Sequence, residues 1–409
     1  MQYSVSMLIR RATSGGSQGN GSHATVEPPM PAGELDAGLC CVNFPLWRAI
    51  WVHRAVLAVA VAVGLFVEFN LAQFLDAYAR WPQTKVPDLS SHFSAWDGAH
   101  YLILSRDGYT AGSHSCAFYP LWPAAIRAAS CLTFASPLLA GLLLANGLSL
   151  AALWFFYRVI ARACGPRIGG KSLVLLLAFP GALFFAFPYT ESLYLLLVMA
   201  FFWELESERY FWPCVLAFLM PLTKAIGVFI VIPWAWHLWQ KRKPLAYWLL
   251  LAIPVLGYAS YFAFMWASTG NAFEGFDAQK AYPYSPSIKN MFNVAGFTGA
   301  FGHIASLDGM MDSALDRGFF VLLLVLLPFV YRLNKTWFFY TLPVGIVPAL
   351  TSYFMSYRRY IMICFPVFVV LARWFDKTNS RWVFWYYVIL LAALQFWAVT
   401  RFVNFYWAG

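Results

Sequence analysis

The chain returns repeatedly to apolar runs about as long as a bilayer is thick. A helix needs about 20 apolar residues to cross a hydrocarbon core, and runs near that length occur at 51–71, 137–160, 171–187, 189–205, 244–268, 318–332, 336–354, 358–374 and 381–405. Charge is correspondingly scarce. Of 409 residues, 61% are apolar and 11% charged, with a mean hydropathy of +0.62. Soluble chains carry about 25% charged residues, and this chain could not cover a water-facing surface with so few. A soluble enzyme, a nucleic-acid binder and a disordered scaffold are excluded. The 19 Trp suit a chain with many membrane–water interfaces, where indole rings settle. The predicted fold class is an all-α polytopic membrane bundle.

One apolar stretch, 211–239, is interrupted by Pro221, Lys224 and Gly227. It reads as two short spans meeting at Lys224 on one side of the membrane, which brings the expected total to eleven. Broken helices of this kind are tolerated where they are buried in protein or line a cavity. The net charge of +10 reports topology, because basic residues collect on the cytoplasmic side. With the N-terminus inside, Arg48, Arg54, the Arg158–Lys171 group, Lys241–Lys243, Arg332, Lys335, Arg373, Lys377 and Arg381 share the cytoplasmic face. Most acidic residues then lie outside, as does the C-terminus.

The segment 117–133 is apolar enough to resemble a span, but counting it as one would invert every later loop. With Pro120, Pro123 and Arg127 inside it, it reads as a helix lying in the outer interface. Residues 72–136 therefore form one long outer loop with interfacial helices, and 268–317 form a second. Loops of that length are uncommon unless functional or disordered. Residues 1–44 form a separate N-terminal segment, rich in Gly, Ser and Pro over 13–38 and expected to be disordered. Residues 45–409 form the membrane domain. The seven Cys show no metal-ligand spacing, so neither a zinc site nor a disulfide framework is expected. Cys40 and Cys41 read as unmodified thiols.

The polarity worth attention lies in the outer segments. Ser94-Ala95-Trp96-Asp97-Gly98-Ala99-His100-Tyr101 opens a helical stretch ending near Gly108. Asp97 has two readings: the third residue of a helix capped by Ser94, or a general base for a sugar hydroxyl, beside Trp96, His100 and Tyr101. His100 reads as a hydrogen-bonding neighbour rather than a metal ligand. At Pro188-Tyr189-Thr190-Glu191-Ser192, Thr190 could cap the next helix with Glu191 complementing its dipole. Alternatively, Glu191 could hold acceptor hydroxyls or support Asp97. Lys224, Arg358 and Arg359 are costly near hydrocarbon. Either they snorkel to headgroups or they converge on a lipid phosphate. The chain has no DxD, so a divalent cation has no motif to support it, and no cofactor is expected.

These motifs carry a resemblance. WDGAHYLILSRDGY followed by AFYPLWP, then FPGALFFAFPYTESLY, PLTKAIGVFI, SYRRYIMICFPVFVVLA and the terminal FVNFYWAG resemble the PIG-V-type mannosyltransferases, the family of the second mannosyltransferase of GPI-anchor assembly. The likeness spans roughly 45–409 in the family's order. It implies a GT-C glycosyltransferase with an extracytoplasmic active site, a polyprenyl- or dolichyl-phosphate sugar donor, and a glycolipid or glycan acceptor. In that pattern the base falls on Asp97. Lys224 stands where the family more often has Arg, which removes bidentate phosphate recognition but keeps a point charge. Gly98, Ala99 and His100 look closer to bacterial members, implying a bacterial plasma membrane and an acceptor other than a GPI precursor. In a eukaryote the place would be the ER membrane. A small partner subunit is left open.

The implied reaction is inverting transfer of a mannose-like sugar. Asp97 acts as base, and Lys224 with Arg358 or Arg359 stabilises the departing lipid phosphate. Trp96, Tyr101, Trp122 and Tyr189 are candidates to stack on sugar faces. The rival reading is a lipid or solute transporter or flippase, which the broken 211–239 segment would suit. The scarcity of ionisable residues near span centres and the lack of an internal repeat speak against it.

Overall fold

The computed structural model describes residues 32–78, 86–282, 286–378 and 380–409. Disorder expected for 1–44 falls mainly on residues 1–31, outside the described residues, as are the side chains of Cys40 and Cys41; the backbone is helical from Ala32. The helices in the first half are α1 (Ala32–Gly64), α2 (Leu71–Tyr78), α3 (Asp97–Asp107), α4 (Leu121–Ser130), α5 (Pro137–Cys164), α6 (Pro166–Ala178), α7 (Glu191–Glu206), α8 (Phe211–Thr223) and α9 (Val231–Gln240). The second half holds α10 (Leu245–Trp248), α11 (Ala252–Thr269), α12 (Glu274–Gln279), α13 (Val294–Gly302), α14 (Ala314–Leu333), α15 (Lys335–Ser352), α16 (Tyr357–Ile363), α17 (Pro366–Lys377) and α18 (Arg381–Phe402). Among the described residues there is no strand, only an isolated bridge between Ser306 and Ser313.

Among the described residues, five segments are long and apolar enough to cross a membrane unaided: Leu46–Gly64, Pro137–Cys164, Leu245–Thr269, Ala314–Leu333 and Arg381–Phe402. The protein is an all-α polytopic membrane protein. Around the long helices, α5 packs on α6 and α7, α7 on α8, α8 on α11, and α1 on α18. Leu153 and Phe156 of α5 and Leu195, Met199 and Phe202 of α7 are among the buried residues at the centre. In lipid such contacts are driven by close packing rather than by escape from water. Gly257 serves this: a Cβ there would collide with the Phe218 carbonyl, so α8 and α11 meet backbone to backbone.

Two runs read from the sequence as single spans are broken. Pro180 forces Phe179 out of the helical region, to φ −63°, ψ 137°, and α6 gives way to a 3-10 turn at Pro180–Phe185. Likewise 358–374 is split at Cys364, with Pro366 opening α17. Neighbours satisfy the carbonyls freed at the first break. Gln395 Nε2 donates to Leu177 O (3.1 Å) and Phe179 O (2.8 Å), and Asn146 Nδ2 donates to Ala186 O (3.0 Å). Arg54 donates to Phe185 O (3.3 Å) and to Ser149 Oγ. Its guanidinium is therefore inside the bundle, not at the helix end where the charge pattern put it.

The 211–239 segment is a hairpin, as its Pro, Lys and Gly suggested. At 13 residues α8 is only about 20 Å long, and it stops at Lys224, whose backbone is extended (φ −151°, ψ 140°). The chain then returns through a 3-10 turn, Ala225–Ile230, and α9. Both open ends lie together, because Glu208 pairs with Lys241 (2.8 Å) and Lys243 (2.7 Å). Those two hydrogen-bonded ammoniums hold its carboxyl down at about 2. In 86–136 no helix exceeds eleven residues, and α4, covering the ambiguous 117–133, is about 15 Å long, too short to cross. The two long loops dock: the Gly112 N–H donates to Glu274 Oε1 (2.6 Å), and the Tyr282 hydroxyl donates to His114 O (3.1 Å).

Candidate functional site

Four irregular points in the backbone converge. The first is the turn into α3, where Trp96 adopts φ 55°, ψ −127°, a strained conformation for a side-chain-bearing residue. The second is the corner at Pro188–Thr190, where the 3-10 turn feeds α7. The third is the apex of the hairpin at Lys224. The fourth is the turn into α16, with Tyr353, Phe354 and Ser356 at φ 49°, 73° and 57°. Such outliers cost about 1–3 kcal/mol each and cluster at functional sites.

Each point delivers one charge. Asp97, the first residue of α3, accepts from Arg359 Nη1 at 2.5 Å. Arg359 Nε donates to Glu191 Oε1 at 2.6 Å, and Lys224 Nζ donates to the same oxygen at 3.0 Å. The result is an alternating chain, Asp97–Arg359–Glu191–Lys224, of two carboxylates and two cations. Buried charges survive only when paired in this way. Exposure separates their roles. The side chain of Asp97 is 27% exposed and that of Lys224 12%, whereas Arg359 is 7% and Glu191 is completely buried. Only Asp97 and Lys224 present appreciable surface to a substrate, and Glu191 is the hub beneath both cations.

The aromatic residues form the frame. Arg359 lies over the rings of Tyr189 (4.8 Å) and Phe184 (5.1 Å), and Lys224 faces Tyr360 (5.6 Å). The Tyr189 hydroxyl donates to Ala95 O at 2.9 Å, and its ring lies against Gly98. Tyr189 thus bolts the Asp97 turn onto the α7 corner. Burial keeps the Tyr101 hydroxyl protonated far above its ordinary range, helped by the nearby Asp97 and Glu191 carboxylates. His100 Nδ1 meets Ser115 Oγ at 2.8 Å and Nε2 meets the Tyr282 hydroxyl at 3.1 Å, while its ring stacks on Phe118. It ties the two loops together as a hydrogen-bonding neighbour. Trp96 donates from Nε1 to Tyr406 O (3.3 Å) and stacks on Phe405.

Several expectations change. Ser94 does not cap α3: the helix begins at Asp97, and Ser94 Oγ donates instead to Ser90 O at 2.9 Å. Thr190 makes no side-chain cap either. Trp96, Tyr101, Trp122 and Tyr189 are all buried, so none offers a face for stacking on a sugar. Glu191 is completely buried, and its carboxylate meets Arg359 and Lys224. Arg358 stands apart from Arg359. Successive helical residues point about 100° apart, and Arg358 turns to Asp308 (Nη1 to Oδ2 3.0 Å) and Asp316 (Nε to Oδ1 3.6 Å), all three fully buried. Asp308, Asp316 and Tyr360 were not singled out from the sequence. The signal for the two acids was a pair of carboxylates flanking the start of an apolar span opposite an Arg-Arg pair. Among the described residues no group of His, Cys, Asp and Glu has metal-binding geometry.

No family model matches the chain, and no curated protein matches it. Among solved structures it is similar to the oligosaccharyltransferase of Archaeoglobus fulgidus. Against the apo form the TM-score is 0.45 with 12% identity, covering 87% of this chain and 56% of that one. Against the complex with an inhibitory peptide and a dolichol-phosphate the TM-score is 0.40 with 10% identity, covering 89% and 57%. The chain thus spans a little over half the length of these structures. Likenesses this distant carry no argument about its activity.

Proposed function

We propose that the protein is a membrane glycosyltransferase of the GT-C type. It moves a mannose-like sugar from a polyprenyl- or dolichyl-phosphate donor to a glycolipid or glycan acceptor on the extracytoplasmic face. The observation that carries the reading is the partly exposed Asp97 carboxylate, held by Arg359 in a quartet with the largely buried Lys224 at the other end. The motif resemblance across 45–409 points the same way.

The acceptor hydroxyl oxygen attacks the anomeric carbon, and its proton passes to the Asp97 carboxylate. The bond from that carbon to the phosphate oxygen breaks, and its electron pair leaves on the lipid phosphate. One displacement from the opposite face inverts the configuration. Lys224 and Arg359 supply positive charge where the leaving oxygen gains negative charge, the logic of an oxyanion site. Glu191 positions both cations, and Tyr189 holds the Asp97 turn to them. In this reading Arg358 has no contact with the donor and braces the turn that carries Arg359.

Membranes containing the protein, incubated with labelled polyprenyl-phosphate mannose, should place label on a lipid or glycan acceptor. Movement of the labelled donor across the membrane with no transfer would favour a flippase. A mass-spectrometric search for a glycan that lacks one hexose when the protein is absent would identify the acceptor.

A further inference from the structure

At the other end of the bundle lies a cavity of about 600 Å³ that the Asp97 quartet does not use. Its position is fixed by α7, which has Glu191 at its start in the quartet and Glu206 at its end in the cavity wall. Sixteen residues of helix put the two about 22 Å apart.

The wall is built for an anion. Arg162, Lys241, Arg332 and Lys335 line it, against the single carboxylate of Glu206. Two of these cations are already engaged: Arg162 donates to Ser207 Oγ (2.8 Å), and Lys241 pairs with Glu208 (2.8 Å). Arg332 and Lys335 have no carboxylate partner among the described residues, and Lys335 rests on the rings of Tyr331 (5.4 Å) and Trp236 (5.8 Å). Two more lining residues, Trp236 and His237, each carry a buried ring nitrogen with no hydrogen-bond partner among the described residues. The 18-residue α15 begins at the rim with Lys335 and Thr336, and its positive dipole end favours negative charge there. Topology alone gathers basic residues on one face; here Arg162 of α5, Arg332 of α14, Lys335 of α15 and Lys241 just past α9 also line one concavity of ligand size.

We propose that this cavity is a second binding site, for a phosphate-bearing group, remote from the quartet and independent of the reading of Asp97. The phosphate could be the headgroup of an anionic phospholipid or a soluble phosphate, and the test separates the two. The full chain is placed in nanodiscs of phosphatidylcholine with or without phosphatidylglycerol, and lipid retained on release is counted by native mass spectrometry. In parallel, inorganic phosphate and pyrophosphate are titrated against thermal stability. Each probe is repeated on Arg332→Gln/Lys335→Gln and on the charge-preserving Arg332→Lys/Lys335→Arg. Saturable retention of phosphatidylglycerol, at least about tenfold weaker in the Gln variant and restored in the charge-preserving one, establishes a lipid headgroup site. The same pattern with phosphate or pyrophosphate establishes a soluble ligand. Equal responses of wild type and Gln variant to every probe overturn the proposal and leave these cations as helix-end anchors. Since sugar transfer is not the readout, failure here leaves the proposed reaction untouched.

Discussion

Replacing Asp97 by Asn separates a structural carboxylate from a catalytic one, because the structure sets the two costs far apart. Asn keeps the shape and can still accept the Arg359 hydrogen bond. What it loses is the charge–charge part of a pair whose carboxylate is 27% exposed, worth about 1 kcal/mol at most for a partly solvated pair. It also loses a negative charge at the first position of α3, worth about 0.3–1 kcal/mol. Arg359 is not stranded, since Glu191 still holds it at 2.6 Å. The total is about 1–2 kcal/mol of stability. A general base contributes about 100- to 10,000-fold in rate, or about 2.7–5.4 kcal/mol of barrier. Purified Asp97→Asn should therefore insert and melt nearly as the wild type and bind donor with a KM no higher than that of the wild type, while its kcat falls at least about a hundredfold. The assay is transfer from labelled polyprenyl-phosphate mannose, with donor KM and kcat measured separately. A folded Asp97→Asn protein with kcat within about tenfold of wild type would remove Asp97 from the chemistry, since that loss is no more than the ion pair's own strength.

Three further outcomes are expected. Lys224→Ala should raise the donor KM by about tenfold or more, one decade being about 1.4 kcal/mol, and Lys224→Arg should recover most of it; an unchanged donor KM in folded Lys224→Ala protein would leave Lys224 as a structural counter-ion of Glu191. Arg358→Met leaves Asp308 and Asp316 buried without their cation, so it should cost about 3–5 kcal/mol and lower the melting temperature in detergent, with Asp308→Asn added to it restoring part of the loss. A drop in kcat with no loss of stability would instead give Arg358 a direct role. For topology, reporters fused after Gly165 and after Gly409 should give opposite signals, and exposed Cys131 should react with an impermeant maleimide from the outer side, whereas burial of Cys116, which pushes its thiol up to about 11, should keep it unreactive at pH 8. A span at 117–133 would instead invert both signals, with Gly165 outside and Gly409 inside, and equal signals would refute the odd number of crossings between the two points.

Much of the site was legible because charge in an apolar run needs a partner. Lys224 between Pro221 and Gly227 marked the hairpin apex, and Glu191 stood out at a span's edge, though as a support for Asp97 or a holder of acceptor hydroxyls and not as the counter-ion of Lys224 and Arg359. Pro120, Pro123 and Arg127 were enough to keep 117–133 out of the spans. What could not be read were choices made by contacts distant in sequence. Arg358 and Arg359 are chemically equivalent as neighbours, and only the positions of Asp308 and Asp316 on one side and Asp97 and Glu191 on the other divide their tasks. Trp96 and Tyr189 had the composition of sugar platforms. Trp96 is covered instead by Phe405 and Trp407 of the C-terminal tail, some 300 residues on. Pro180 and Pro366 signalled their breaks locally, but the partners that make the first break tolerable, Gln395, Asn146 and Arg54, come from three other helices.

Those breaks explain why the charges meet where they do. A regular helix in a bilayer satisfies its own backbone and projects side chains sideways. Four charged groups from four segments converge more readily when helix ends point inward, and α3, α7, α8 and α16 each place a terminus at the quartet. The strained residues Trp96 and Ser356 fix the entries of the helices carrying Asp97 and Arg359, so the geometry is set before any substrate arrives. The quartet is also neutral as it stands, two carboxylates balancing two cations. On the proposed reading, an incoming lipid phosphate adds negative charge to a balanced set. It must then draw Lys224 and Arg359 partly away from Glu191, the fully buried carboxylate of the quartet. Donor binding would thereby loosen the hold of Arg359 on Asp97 as well, leaving the base freer to take a proton only once the phosphate is in place.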